Sequence, residues 1–146
     1  MRKVPLTVGG IILFLIIVIS TVYVLKTTTD NRNYITLTSF DNNNIEYPIY
    51  RKKIFVFTVE CDKCISDLLW LESQPKNKQK EIDLISLSSL NDTIDTMKKM
   101  TISSKIYVDT KKEFTKRYKV KATPTVFIYD GEKLIEIEDG LKKLIK

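Results

Sequence analysis

The period of the hydrophobic positions changes several times along this chain, and each change marks an element. Residues 4–25, VPLTVGGIILFLIIVISTVYVL, are apolar or uncharged throughout. YITLTSF (34–40) then alternates apolar and polar residues, DNNN (41–44) supplies turn chemistry and IEYPIY (45–50) resumes extended character. This predicts a β-hairpin, with Pro48 marking an edge or a strand end. Ile54 to Val59 is apolar on both faces, as a central strand requires. From Cys61 the period becomes helical: Ile65, Leu68, Leu69 and Glu72 share one side, Asp62 and Asp67 lie near the N-terminal end, and Pro75 and Asn77 close the helix. Ile82 to Leu87 predicts a strand, and Asn91 caps a helix carrying Ile94, Met97 and Met100. An extended segment at 104–109 and a helix over Glu113 to Tyr118 follow. Thr125 to Tyr129 is a strand, DGE its turn, Leu134 to Ile137 the return, and GLKKLIK a last amphipathic helix. Strands and helices that alternate and then close with a hairpin predict an α/β fold, a mixed central sheet flanked by helices.

The first apolar run carries no charge over 22 positions. As a helix it measures about 33 Å, enough to cross a hydrocarbon core of about 30 Å. Arg2 and Lys3 precede it, Tyr23 sits where aromatic belts occur and Lys26 trims the far end. The expectation is a transmembrane signal anchor over 4–25, with residues 1–3 a cytoplasmic tail, 26–33 a polar linker and 34–146 a folded domain outside the cell. A cleaved signal peptide is the rival. Against it, the run exceeds the usual apolar core of such peptides and no A-x-A-like site follows. Both readings place the domain beyond the cytoplasm, where disulfides persist.

At 146 residues the chain holds one ordinary domain, whose core needs no disulfide to fold. Histidine is absent. That removes His general bases, Cys–His nucleophile pairs and nearly all catalytic zinc or iron sites. The formal charge of +6 comes from lysines and acids interspersed along the chain, which reads as a solvated surface and not as a nucleic-acid footprint. A richness in Lys, Asn and Ile suits a low-GC, Gram-positive-type bacterium.

Only two cysteines are present, in FVFTVECDKC (55–64), at the predicted strand-to-helix junction. A bridge between them closes a tiny loop and removes little chain entropy, so a stabilising staple is a poor reading. A thiolate metal carrier, for copper above all, is a sharper alternative, with Met97 and Met100 as added thioethers. Structural zinc wants four ligands, however, and two methionines on an apolar helix face are ordinary core residues. No metal is expected. The position itself favours redox chemistry. A helix N-terminus stabilises a thiolate and lowers a thiol's pKa from its free value of about 8.5. Cys61 should stand at or just before the first turn, exposed, as the nucleophile. Cys64, one turn on and more buried, would resolve a mixed disulfide. In KATPTVFIYDGE (121–132), a proline directly before a core strand makes Thr123–Pro124 a candidate cis bond.

FVFTVECDKC followed some sixty residues later by YKVKATPTVFIYDGEKLIEIEDG resembles the thioredoxin-like proteins, most of all membrane-anchored TlpA/ResA-type thiol–disulfide oxidoreductases. The resemblance covers residues 34–146 and includes a hairpin that this subgroup adds before the core. It implies that Pro124 is a cis-proline against the cysteines and that the backbone of Thr123 binds substrate as an added strand. It also implies that Asp67, six positions after Cys61, accepts or donates the proton of Cys64. No cofactor beyond the Cys61–Cys64 disulfide is implied; the partners are protein thiols or disulfides and a CcdA/DsbD-like membrane electron donor. Glu60 departs from the family, which usually has Trp there. A carboxylate beside Cys61 disfavours its thiolate, and Lys63 works the other way. Reduction is the expected direction, with the physiological substrate left open. A different class of function, a tethered binding module without catalysis, is opposed by retention of both cysteines.

Overall fold

The structure is a computed structural model that describes residues 14–21, 34–50, 52–137 and 140–145. The chain divides into two compact units, Met1–Tyr34 and Ile35–Lys146. In the first, residues 14–21 form helix α1, whose Phe14, Leu15, Ile16, Ile17, Val18 and Ile19 are exposed. The remainder of the expected span over 4–25 lies outside the described residues. Among those described, no helix is long and apolar enough to cross a membrane.

The second unit is built on a seven-stranded sheet of order β2-β1-β5-β4-β3-β6-β7. Its strands are β1 (Tyr34–Thr38), β2 (Asn44–Pro48), β3 (Lys53–Phe57), β4 (Ile82–Ser86), β5 (Lys105–Val108), β6 (Thr125–Tyr129) and β7 (Leu134–Ile137). β4 is the middle strand; beside it β3 is parallel to β4, with Phe55 opposite Leu84, and antiparallel to β6, with Phe55 opposite Val126. β4 and β5 are also parallel, whereas β1 joins β5 and β7 joins β6 antiparallel. The expected mixed sheet is therefore present. The early hairpin supplies its β2 edge, with Pro48 ending that strand.

Alternation along β3 separates two cores. Phe55 and Phe57 pack with Leu68, Leu71, Leu84, Met97 and Leu144 on one face. Ile54 and Val56 pack with Leu37, Tyr47, Ile85, Phe114 and Phe127 on the other. Side chains of a strand point alternately to opposite faces, so a strand covered on both sides is mostly apolar along its length, its polar exceptions being hydrogen-bonded. β3 is fully buried over Ile54–Phe57. The first face is covered by α2 (Asp62–Glu72), α4 (Leu90–Met97) and a 3₁₀ turn at Leu141–Ile145, and the second by α5 (Glu113–Tyr118).

Four local expectations need correction. A short helix, α3 (Lys76–Gln79), follows Pro75, so Asn77 sits within a helix instead of closing one. It is held by buried Gln79, whose side-chain amide donates to the carbonyls of Glu72 and Gln74 and whose side-chain and backbone oxygens accept from the Ser103 N–H and the Ser104 hydroxyl, ties with no periodic signature. The cap of α4 is Ser89, whose hydroxyl accepts the Asp92 N–H, and Asn91 is inside the helix. That helix also stops at Met97, so Met100 lies beyond it. The last helix is 3₁₀ and not α.

Candidate active site

β3 ends at Phe57, a turn over Val59 and Glu60 follows, and α2 begins at Asp62. Cys61 is the N-cap of α2, in extended conformation (φ −95°, ψ 106°). Its sulfur accepts the backbone N–H of Cys64 at 3.1 Å, the place usually taken by a Ser, Thr, Asp or Asn oxygen. The site lies at the C-terminal end of β3, a strand buried over Ile54–Phe57. This gives the cap a rigid base. Cys64 has no exposed surface, whereas Cys61 is half-buried. The two are joined as a disulfide, with Cα atoms 5.1 Å apart.

The peptide bond Thr123–Pro124 is cis, and Pro124 directly precedes β6. The Thr123 carbonyl oxygen lies 3.6 Å from Cys61 Sγ. In the disulfide that sulfur carries no proton, so this is a contact; in the dithiol the same geometry allows an S–H donor. Thr58 and Thr123 hydroxyls share a hydrogen bond of 3.2 Å, tying the loop before Cys61 to the loop before Pro124. Residues 62 positions apart in sequence thus meet at one sulfur.

Asp67 is half-buried on α2. It lines a hollow of about 430 Å³ together with Lys63, Pro124, Glu136 and Lys142. Pro124 connects this hollow to the loop that touches Cys61. Lys142 also places its ammonium 6.0 Å over the ring of Trp70. Glu136 and Lys142 carry no sequence signal as site residues, since only the packing of β7 and the 3₁₀ turn brings them beside Lys63 and Asp67 of α2.

Glu60 is exposed, and its carboxylate is held. The Ser88 hydroxyl donates to it at 2.8 Å while accepting the Val59 N–H at 2.9 Å. Ser88 follows β4, so this link straps the turn before Cys61 to the neighbouring strand's loop. Sequence reasoning missed Ser88, which lies 28 residues from Glu60. Among the described residues no group of three or more His, Cys, Asp or Glu side chains could hold a metal ion. Met97 is buried in the core, and Met100 packs against the same cluster.

No protein-family model matches the sequence, and no curated protein does. Solved structures do. The chain is similar to the pneumococcal exposed lipoprotein thioredoxin Etrx1 of Streptococcus pneumoniae, at 18% identity and a TM-score of 0.57 over 74% of this chain and 90% of that one. StoA of Bacillus subtilis shares 20% identity, with a TM-score of 0.52 over 70% and 87% of the two chains. A secreted Mycobacterium tuberculosis disulfide oxidoreductase homologous to E. coli DsbE shares 16%, with a TM-score of 0.56 over 75% and 88%. At this level of identity the likeness concerns the fold. The β-sheet unit of this chain has a thioredoxin-like fold, with the Cys-x-x-Cys pair at the N-terminus of α2 and the cis-proline loop against it.

Proposed function

We propose that the protein is a membrane-tethered thiol–disulfide oxidoreductase acting outside the cytoplasm on protein disulfides. The observation that carries this reading is the asymmetry of the cysteine pair: an accessible sulfur capping a helix N-terminus, and a second, fully buried one a single turn later. The helix terminus and the Cys64 N–H both favour negative charge on Cys61, so this thiol ionises and attacks.

In the reductive direction the Cys61 thiolate attacks one sulfur of a substrate disulfide. A mixed disulfide forms, and the departing substrate sulfur takes up a proton. Cys64 then gives its proton to Asp67, directly or through water, and attacks Cys61 Sγ. The Cys61–Cys64 bond forms, and the second substrate thiolate leaves and is protonated in turn. Two electrons and two protons pass from the dithiol to the substrate. The Thr123 backbone aligns the substrate segment as an added strand and Pro124 packs beside the pair. Glu60, fixed by Ser88, sets a negative charge next to the nucleophile. The cycle uses no cofactor other than the disulfide itself.

The apolar run over 4–25 supports the tether to a lipid bilayer, with the N-terminus in the cytoplasm. Two structural neighbours, one an exposed lipoprotein and the other a secreted oxidoreductase, support a site beyond the cytoplasm. A reductant there needs electrons delivered through the membrane, and a dithiol donor of the CcdA/DsbD-like kind suits that need.

The test uses the full chain in detergent micelles. Cys64→Ser should trap a mixed disulfide between Cys61 and a disulfide-containing peptide, Cys61→Ser should trap none, and Asp67→Asn should slow release without slowing capture. Equal trapping by both serine variants, or by neither, would refute the assignment.

A further inference from the structure

The +6 formal charge is not spread evenly over the fold. Residues 111–121 hold Lys111, Lys112, Lys116, Arg117, Lys119 and Lys121 against the single acid Glu113, a net +5 within one short segment. All six cations are exposed. Glu113 is already engaged, its carboxylate accepting the Thr36 N–H of β1 at 2.9 Å. Lys116 and Arg117 lie in the last turn of α5, where cations complement the helix dipole. Lys119, the C-cap, still meets that end of the dipole, whereas Lys121 lies beyond it. Lys119 moreover adopts a left-handed conformation (φ 52°) at a helix end where glycine or asparagine is the usual choice.

This segment leads straight into the site. Thr123, whose carbonyl touches Cys61 Sγ, is two residues after Lys121 and four after Lys119. Extended chain spans at most about 3.5 Å per residue, which puts the backbone of Lys121 within about 7 Å of Thr123 and that of Lys119 within about 14 Å. On the α2 side the residues flanking Cys61 are the exposed acids Glu60 and Asp62, followed by exposed Lys63. The basic stretch and the two acids thus approach the nucleophile from different segments. Building on the oxidoreductase reading, we propose that residues 119–121 form a docking surface for an acidic segment of the protein substrate, one carrying Asp or Glu a few positions from its reacting cysteine. A substrate strand aligned on Thr123 runs beside Lys121 and Lys119, and acids there gain attraction, while acids on the other flank meet Glu60 and Asp62. The cation-bearing loop ends at the reactive sulfur. This favours an anion on the same chain as the reacting disulfide over a lipid headgroup.

The experiment compares two synthetic disulfide peptides of equal length, one with acids beside its cysteine and one with the matching amides. Each is mixed with the reduced full chain in neutral detergent. At low salt the acidic peptide should react about tenfold faster, and the preference should fade as salt shortens the Debye length well below 10 Å. K119Q/K121Q should lose most of that preference while reducing the amide peptide at the wild-type rate. Equal rates at low salt, or a preference that survives in K119Q/K121Q, would overturn the proposal. So would a rate set by anionic phospholipid in the micelle irrespective of peptide charge. Should neither peptide exchange, the oxidoreductase reading fails separately. The surface is then decided by fluorescence anisotropy of a cysteine-free acidic peptide: salt-sensitive binding lost in K119Q/K121Q upholds it, and no binding refutes it.

Discussion

Cys61 serves as a helix cap and as the proposed nucleophile, and these two roles make different demands on its side chain. The cap needs an acceptor for the Cys64 N–H, which oxygen supplies as well as sulfur. Nucleophilic attack needs the thiolate. Serine and alanine at this position should therefore be equally inactive but unequally stable. With the disulfide absent in both, Cys61→Ser should exceed Cys61→Ala by about 1 kcal/mol, the usual worth of an N-cap acceptor. Urea midpoints of the two variants check this; equal midpoints would mean that the sulfur does not cap α2. The two cysteines were legible from spacing and from the change of hydrophobic period at Cys61. Ser88, which holds the carboxylate of Glu60, was not, because a hydroxyl in a polar loop carries no pattern.

At the scale of elements, the hairpin is joined to the central sheet by a buried polar cluster. Tyr47 of β2 donates its hydroxyl to Asp83 of β4 at 2.8 Å, and Lys52 pairs with the same carboxylate at 2.8 Å. Burial, then the charge of Asp83 and its hydrogen bond, push the Tyr47 phenol far above its ordinary value. A phenol whose folded value is raised contributes stability that is fully present below the unfolded value near 10. That contribution is lost as pH rises beyond it toward the folded value. Stability should thus fall above about pH 10, by up to about 1.4 kcal/mol per pH unit from this group, and Tyr47→Phe should flatten the decline. Denaturant midpoints between neutral pH and pH about 11 decide it; identical slopes in the two proteins would contradict the assignment. Strand β3 was readable because burial on both faces of Ile54–Phe57 leaves no polar position there. Ser89 and Asn91 are both good caps, and the choice of Ser89 became visible only in its bond to the Asp92 N–H. Helix α3 was unreadable for a related reason: KNKQ has no apolar face, and the helix depends on Gln79 reaching back to α2.

For the whole molecule, α/β alternation and the closing hairpin gave the architecture. The charge field gave itself away less readily. The basic stretch at 111–121 is plain in the sequence, but its relation to the site is not, because only the fold brings its far end to Cys61 through Thr123. The hollow holding Asp67, Glu136 and Lys142 likewise joins α2 to the end of the chain, a contact no local period encodes. What these features share is the Cys61–Cys64 pair, and its reversibility is the central claim. The most direct test equilibrates the full chain in detergent with graded thiol–disulfide buffers and follows the redox state by alkylation and Trp70 fluorescence. A single two-electron transition is predicted, with a potential at or below about −270 mV, as suits a reductant; one between about −120 and −180 mV would reverse the assigned direction. Cysteines that stay bonded or stay free across the whole range, with no transition, would contradict the account.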